Sequence, residues 1–472
     1  MTYSNKNIIN NSKKKLFFYI VTICEVLLIS LSLYFKNPFI VFAIFFFTIL
    51  FIYLLQSSQN LFYLLLLYIV IFPNNSGLLR YPYLKHSASL PIIFFILIIC
   101  LFISFIEKRN INNYLSSNIN LDDKIIFSFF IWGFIAIFWG LVNNNPVHYI
   151  VIDFYFITLF LSFFIIKNSF VNKKKLLQVW LFIFVITVLV SIEYIYVTFR
   201  EAKTTSMFIT RVSTQQPHIA QVSIPFILSY NLFLKKRNHL LFSVILLLPI
   251  FLMIFFSQQR ALWLGIFLSI IALFFLYYNQ KGLKLKNIIK FLIIIILILA
   301  FFAVVILLVD YFLFDSALIT LLERLESLTN LKEDTSLAIR LNEIKNALHN
   351  WKNNIFLGTG LGDSINLVTL HHVSPNIVDN SYIFVLWKTG IIGLILFLFL
   401  LLYFLQKGIK IYFTSQDTII KTITSAAVSS LFGLMIIALT NVCLIHYRFI
   451  IIWSIILGSI SICHKLHYNT KD

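Results

Sequence analysis

Three arginines, Arg211, Arg260 and Arg340, and three groups able to take a proton, His371, His372 and Asp379, fall on what reads as one side of the long apolar runs, with Arg211 and Arg260 bordering such runs and Asp379 just before one. A guanidinium is a planar fork of donors that keeps its charge and fits phosphate oxygens in pairs. Histidine changes charge near neutral pH, and a carboxylate beside a hydroxyl can act as general base. These residue types suit the binding of a phosphate or pyrophosphate and the removal of a hydroxyl proton. Each also has a plainer reading. Arg211 can be a solvated loop residue. Arg260, in "FFSQQRALWLGIF" (255–267), can snorkel to the interface from a short turn. Arg340 can lie on the polar face of a helix. Asp379 precedes "NSY" where an apolar run begins, and a carboxylate there caps a helix as readily as it serves as a base. The histidines are compatible with metal ligation, but no third ligand at suitable spacing accompanies them. Asp363 is a weak candidate for that role, and no metal is expected.

A membrane must position these groups. The chain has 472 residues, of which 60% are hydrophobic, 17% aromatic and 12% charged, with a mean hydropathy of +0.93. Apolar runs long enough to cross a bilayer recur along its length. The expected fold is all-α, a polytopic transmembrane helix bundle of about 12–14 spans with one large extracytoplasmic loop containing an amphipathic helix. The runs are roughly 16–35, 38–55, 60–72, 90–106, 125–142, 147–166, 176–198, 217–234, 240–256, 261–278, 288–310, 381–404, 422–441 and 446–462. The third is short enough to be tilted or re-entrant. The pair 240–256 and 261–278 reads as a helical hairpin. The first run follows a Lys-rich head without a cleavage site, so it is expected to stay as a helix.

The net charge of +19 does not point to nucleic acid, because the cations gather in alternate loops. Those loops hold Lys108–Arg109, Lys173–Lys175, Lys235–Arg237, Lys281 to Lys290 and Lys407 to Lys421. With Lys13 to Lys15 in the cytoplasm, both termini are expected there. Segments 73–89, 199–216, 257–260 and 311–380 then lie outside. Cys24, Cys100, Cys443 and Cys463 fall in or at the edges of spans without a CxxC pair, so no disulfide framework or zinc site is expected.

The segment 311–380 is far longer than an ordinary connection, and loops of that size tend to be functional. Within it, "DTSLAIRLNEIKNALHNW" spaces Leu337, Leu341, Ile344, Leu348 and Trp351 along one helical face, with Thr335 or Ser336 as N-cap. That helix is expected on the outer membrane face or packed over the bundle. "GTGLG" (358–362) follows no strand, so a tight turn is the better reading than a dinucleotide cradle.

The order of these features resembles the O-antigen ligase and Wzy-type polysaccharide polymerase superfamily. The resemblance covers roughly 240–400 and rests on the "SQQR" turn, the Arg-led loop helix, "NNIFLGTGLG" and "DNSYIFVLWKTGIIGL". "TRVSTQQPHIAQVSIPF" (210–226) resembles the family's earlier arginine loop. The resemblance implies a membrane glycosyltransferase with no metal or cofactor, working at the extracytoplasmic face of the bacterial cytoplasmic membrane. It takes a glycan from an undecaprenyl-pyrophosphate carrier and passes it to an acceptor hydroxyl. Its implied partners are that lipid-linked glycan, membrane lipid and other polysaccharide assembly proteins. Arg211, Arg260 and Arg340 match the family's pyrophosphate-binding arginines. In the ligases a histidine directly precedes the Asn of the "NSY"-like motif, and here Asp379 stands there. Either Asp379 or one of His371 and His372 then takes the base role. This departure favours polymerase over ligase. The implied organisation is 1–240 as N-terminal spans, 241–404 as the core including 311–380, and 405–472 as C-terminal spans and tail. A transporter or lipid flippase is the rival reading. Such a protein would carry ionisable groups deep in its spans, whereas Asp153 and Glu193 lie near span ends and only Glu25 looks deep.

Overall fold

The computed structural model describes residues 57–71, 96–107, 120–153, 155–205, 216–234, 237–257, 259–281, 335–365 and 377–468. The chain divides into two compact units, 1–64 and 65–472. In the first, the described residues open helix α1 (Ser58–Ile71), where the Ser57 hydroxyl accepts the Gln59 N–H at 3.2 Å. A side-chain oxygen at this position satisfies one of the donors that a helix start leaves over.

The second unit contains α2 (Ile96–Glu107), α3 (Leu121–Val142), α4 (Val147–Ile152), α5 (Tyr155–Ser169) and α6 (Lys173–Thr205). A 3-10 turn (Gln216–Ile219) leads into α7 (Ala220–Leu234), followed by α8 (Arg237–Ser257) and α9 (Arg260–Lys281). After α10 (Thr335–Trp351) come α11 (Ser381–Thr414), α12 (Thr418–Ile437) and α13 (Tyr447–Tyr468). Among the described residues all regular structure is helical, and seven helices are long and apolar enough to cross a membrane. Large apolar side chains such as Phe102, Phe127 and Phe138 stay exposed. In a bundle whose backbone bonds are all internal, that surface suits lipid.

Helix α12 is the packing centre, with α7, α9, α11 and α13 against it. Small and polar residues allow this closeness. The Ser229 hydroxyl meets that of Ser425 at 2.6 Å, Gln221 donates to Ser269, and a Cβ on Gly265 would come within 2.3 Å of Ile437 Cγ1. One end of the bundle is tied by charge. Asp122 accepts from Lys407 at 2.5 Å, Ser461 at 2.5 Å and Tyr403 at 2.7 Å. Beside it Lys167 pairs with Asp123, and Lys173 pairs with Asp417. Thus two of the basic loops expected on one side, 173–175 and 407–421, meet at this end among the described residues.

At the other end α11 is broken. Gly390 has φ 69° and ψ −175°, inside what is otherwise a 34-residue helix. Such a break leaves carbonyls and N–H groups without helical partners, which is unfavourable away from water. The loop after α10 supplies them. Thr359 N–H donates to Trp387 O at 2.9 Å, Gly360 N–H to Lys388 O at 3.1 Å, and Ile391 N–H to Ile355 O at 3.0 Å. Trp132 of α3 reaches Thr389 O at 3.0 Å. The glycines are required by proximity and by φ. A Cβ on Gly358 (φ +69°) would lie 2.5 Å from Trp387 O, and one on Gly390 would lie 2.0 Å from Phe356 O. "GTGLG" is therefore a turn, as expected, and its backbone laces a broken helix.

The run 147–166 lies within one candidate span, Val147–Ser169, in which α4 ends at Ile152, α5 begins at Tyr155 and Asp153 between them meets the buried Lys388. Two expectations change. The pair 240–256 and 261–278 parts at its turn, α8 packing on α6 and α9 on α12 and α7, so it is not a closed hairpin. Trp263 forms the corner by donating to Ile254 O at 2.9 Å. In α10 the expected apolar face is rotated, with Leu341 57% exposed and Glu343 and Ala347 buried.

Candidate functional site

Helix α10 docks on the first half of α11. Ala347, Ile365, Val378 and Trp387 form a small core there, with Ile344 and Ile383 packed against it. The residues just before Thr335, on which the expected cap depends, lie outside the described residues. Arg340, Glu343, Ile344 and Ala347 share the docked face at three- and four-residue spacing. Docking through Ile344 and Ala347 therefore carries Arg340 and Glu343 to the start of α11.

At that start Arg340 Nε donates to Asp379 Oδ2 at 3.3 Å, the side chains being 28% and 39% exposed. Glu343, only 2% exposed, accepts the backbone N–H of Asp379 at 3.2 Å through Oε2. Burial pushes the Glu343 carboxyl up. The Asp379 N–H and the Arg340 charge oppose this and the Asp379 charge adds to it, leaving Glu343 raised from its ordinary value.

Asp379 is not the cap. Asn380 takes that role, its side-chain oxygen accepting from Tyr382 N–H and Ile383 N–H, both at 3.0 Å. Its amide donates to Leu439 O at 2.7 Å, while Ser381 donates its N–H to Ala438 O at 2.9 Å and its hydroxyl to Asn441 O at 2.8 Å. With Asn380 anchored to the end of α12, the carboxylate one residue earlier is left to Arg340.

Arg260 is the first residue of α9 and is partly exposed. Gly265, just over one turn further on, lies against Ile437 and Gly433 of α12, and Ala438 at the end of α12 binds Ser381. Arg260 is therefore at the same end of the bundle as Arg340 and Asp379. Arg211, His371 and His372 lie outside the described residues.

Asp363 is tied into the fold. Its Oδ2 accepts from Trp387 Nε1 at 2.8 Å and from Asn350 at 3.4 Å, and its carbonyl accepts from Lys388. The Lys388 ammonium also meets Asp153 at 3.1 Å, and Gly362 N–H donates to the same carboxylate at 2.8 Å. Glu343 and the Lys388–Asp153 pair were not expected from the sequence. The available signals were a lysine inside an apolar run and an acid on the docked face of a loop helix. Chemically, the surface end of this assembly offers a partly exposed guanidinium and a partly exposed carboxylate on a rigid support, with a second cation at the same end.

Residues 241–398 match the family model described as O-antigen ligase, in keeping with the resemblance read over roughly 240–400. No curated protein matches the chain.

Proposed function

We propose that this multi-pass membrane protein, which carries an O-antigen ligase domain over residues 241–398, is a polysaccharide polymerase. It transfers a glycan from an undecaprenyl-diphosphate carrier to a hydroxyl of an acceptor repeat unit at the extracytoplasmic face of the bacterial cytoplasmic membrane. The observation that carries the reading is the contact of Arg340 with Asp379 at 3.3 Å, inside the matched domain and at the end of the bundle that holds Arg260.

In this reading Arg211, Arg260 and Arg340 hold the diphosphate. The acceptor oxygen attacks the anomeric carbon and forms the new glycosidic bond. The bond from that carbon to the diphosphate oxygen breaks, and its electron pair leaves with the carrier. The acceptor proton passes to Asp379, or to His371 or His372 should the 366–376 segment bring them there. One displacement inverts the anomeric centre. Negative charge grows on the leaving diphosphate, and fixed guanidinium groups in a water-poor site stabilise it; losing one such contact lowers rate on the order of a hundredfold.

The ligase reading has one specific point in its favour, the description of the matched family. The polymerase reading rests on Asp379 standing where the ligases carry histidine. A strain lacking the protein separates them when its surface glycan and its lipid-linked intermediates are resolved on gels. Single repeat units without a ladder indicate polymerase. Long polymer held on the carrier indicates ligase. An unchanged profile removes both.

A further inference from the structure

We propose that Glu343 is the positioning residue for the Asp379 base, holding its main chain in place while Arg340 exchanges the Asp379 carboxylate for the diphosphate of the donor. This rests on the functional reading above and deepens it.

Two anions compete for one guanidinium. In the structure Arg340 is the ion-pair partner of Asp379. In the reaction the same guanidinium is wanted by a diphosphate, which offers more charge and a paired set of oxygens. When the donor binds, Arg340 turns to it and Asp379 loses its side-chain partner. That is the moment at which the carboxylate must face the acceptor hydroxyl and take its proton. A residue at the lip of a helix, released from its one side-chain contact among the described residues, would lose the geometry that proton transfer needs.

The contact from Glu343 solves this. It is made to the backbone N–H of Asp379, so it leaves both carboxylate oxygens of Asp379 for the acceptor. A charged acceptor makes a stronger bond to an N–H than a neutral one does. Glu343 sits three residues after Arg340 on the docked face, so the packing of Ile344 and Ala347 against α11 places both at once. At 2% exposure Glu343 is itself screened from an acceptor sugar, whereas Asp379 is open. The two carboxyls therefore divide the work, one anchoring and one reacting. The donor unmasks the base, so the acceptor is activated only when the donor is in place.

The test uses the full-length protein in liposomes supplied with lipid-linked repeat units, comparing Glu343→Gln with Glu343→Met. The two side chains are close in size, but only Gln ends in an oxygen that can accept the Asp379 N–H. Expected is near-normal turnover for Gln and, for Met, a fall in kcat on the order of a hundredfold with the donor KM within about twofold of wild type. Thermal unfolding in detergent accompanies each variant, and Asp379→Asn serves as reference. Met at wild-type kcat with Asp379→Asn inactive overturns the Glu343 inference and leaves the base assignment standing. Gln and Met equally impaired, both folded, also overturns it, because the N–H contact is then not what matters. An active Asp379→Asn enzyme overturns the base assignment and the inference with it.

Discussion

Lys388 and Asp153 form an ion pair at 3.1 Å with side chains 0% and 2% exposed, joining the first half of α11 to the break between α4 and α5. A charge deep in a bundle often marks a transport pathway. Here the carboxylate also takes the Gly362 N–H, and the ammonium also takes the Asp363 carbonyl. Both charges are engaged in holding the 358–363 loop, which gives the pair a structural role. Breaking it leaves an uncompensated buried charge. Lys388→Met or Asp153→Asn alone should destabilise by roughly 3–5 kcal/mol, while the double variant Lys388→Met, Asp153→Leu should recover much of the loss. Thermal unfolding in detergent checks this, and equal losses for the single and double variants would argue against the pair.

The broken helix makes a second prediction. Gly390→Ala forces a side chain into the left-handed region, at about 1–3 kcal/mol for the strain alone. It also drives Cβ to 2.0 Å from Phe356 O. Gly393→Ala, at a position with helical backbone in the same helix, meets the Thr389 hydroxyl and the Trp132 ring, both side chains. Gly390→Ala should therefore lower the yield of folded protein more than Gly393→Ala does. Size-exclusion profiles of the two variants decide it.

The first half of this site was legible in the sequence and the second was not. Arg340 and Asp379 stood out because each lies in a motif with an order and a border. The two meet at 3.3 Å. Glu343 was hidden because Leu337, Leu341, Ile344, Leu348 and Trp351 draw the eye to a face that the helix does not fully bury. Ile344 belongs to both faces, and a small rotation about it exchanges Leu341 for Arg340 and Glu343. Periodicity cannot choose between them, because the docking partner on α11 decides. The cap was misread by one residue for a similar reason. Asp and Asn are equally good caps, and only the anchoring of Asn380 to Leu439 O selects it. The Lys388–Asp153 pair joins distant segments, and neither residue announces its partner.

Arg260 and Arg340 should differ in what their loss does. Arg260→Ala removes a cation at the start of α9, and Arg340→Ala removes a cation and also the partner of Asp379. If both bind diphosphate, each variant should lower polymer formation on the order of a hundredfold and accumulate lipid-linked repeat units. Arg340→Lys keeps the charge but not the fork, and should recover only part of the activity. Unchanged polymer length and amount in Arg260→Ala cells would remove Arg260 from the site.

Asp417 predicts an acid-sensitive end. Burial raises its carboxyl, but the bond from Lys173 and the N–H groups of Ile420 and Ile419 outweigh it and hold the group below its ordinary 3.8. A carboxyl lowered in the folded state stabilises at pH values above its unfolded value, and that contribution is lost as pH falls through the lowered one. Asp417→Ala removes the cap of α12 as well, at about 1 kcal/mol. The melting temperature of the variant should be lower at neutral pH and should converge on that of the wild type in strong acid.

Glu343 predicts the opposite slope. Its folded carboxyl lies above the ordinary 4.5, with burial as the main cause. The folded state then binds the proton more tightly than the unfolded state between those two values. Stability is greatest below the ordinary value, declines as pH climbs through the window and levels off above it. The effect is local to the docking of α10 on α11, so amide exchange in 338–350 is the suitable readout. After correction for intrinsic exchange, protection there should weaken as pH rises from 4.5, and Glu343→Gln should abolish the slope while keeping the helix docked through Ile344 and Ala347. A slope that persists in the Gln variant would assign the titration to another group and leave Glu343 with the geometric role alone.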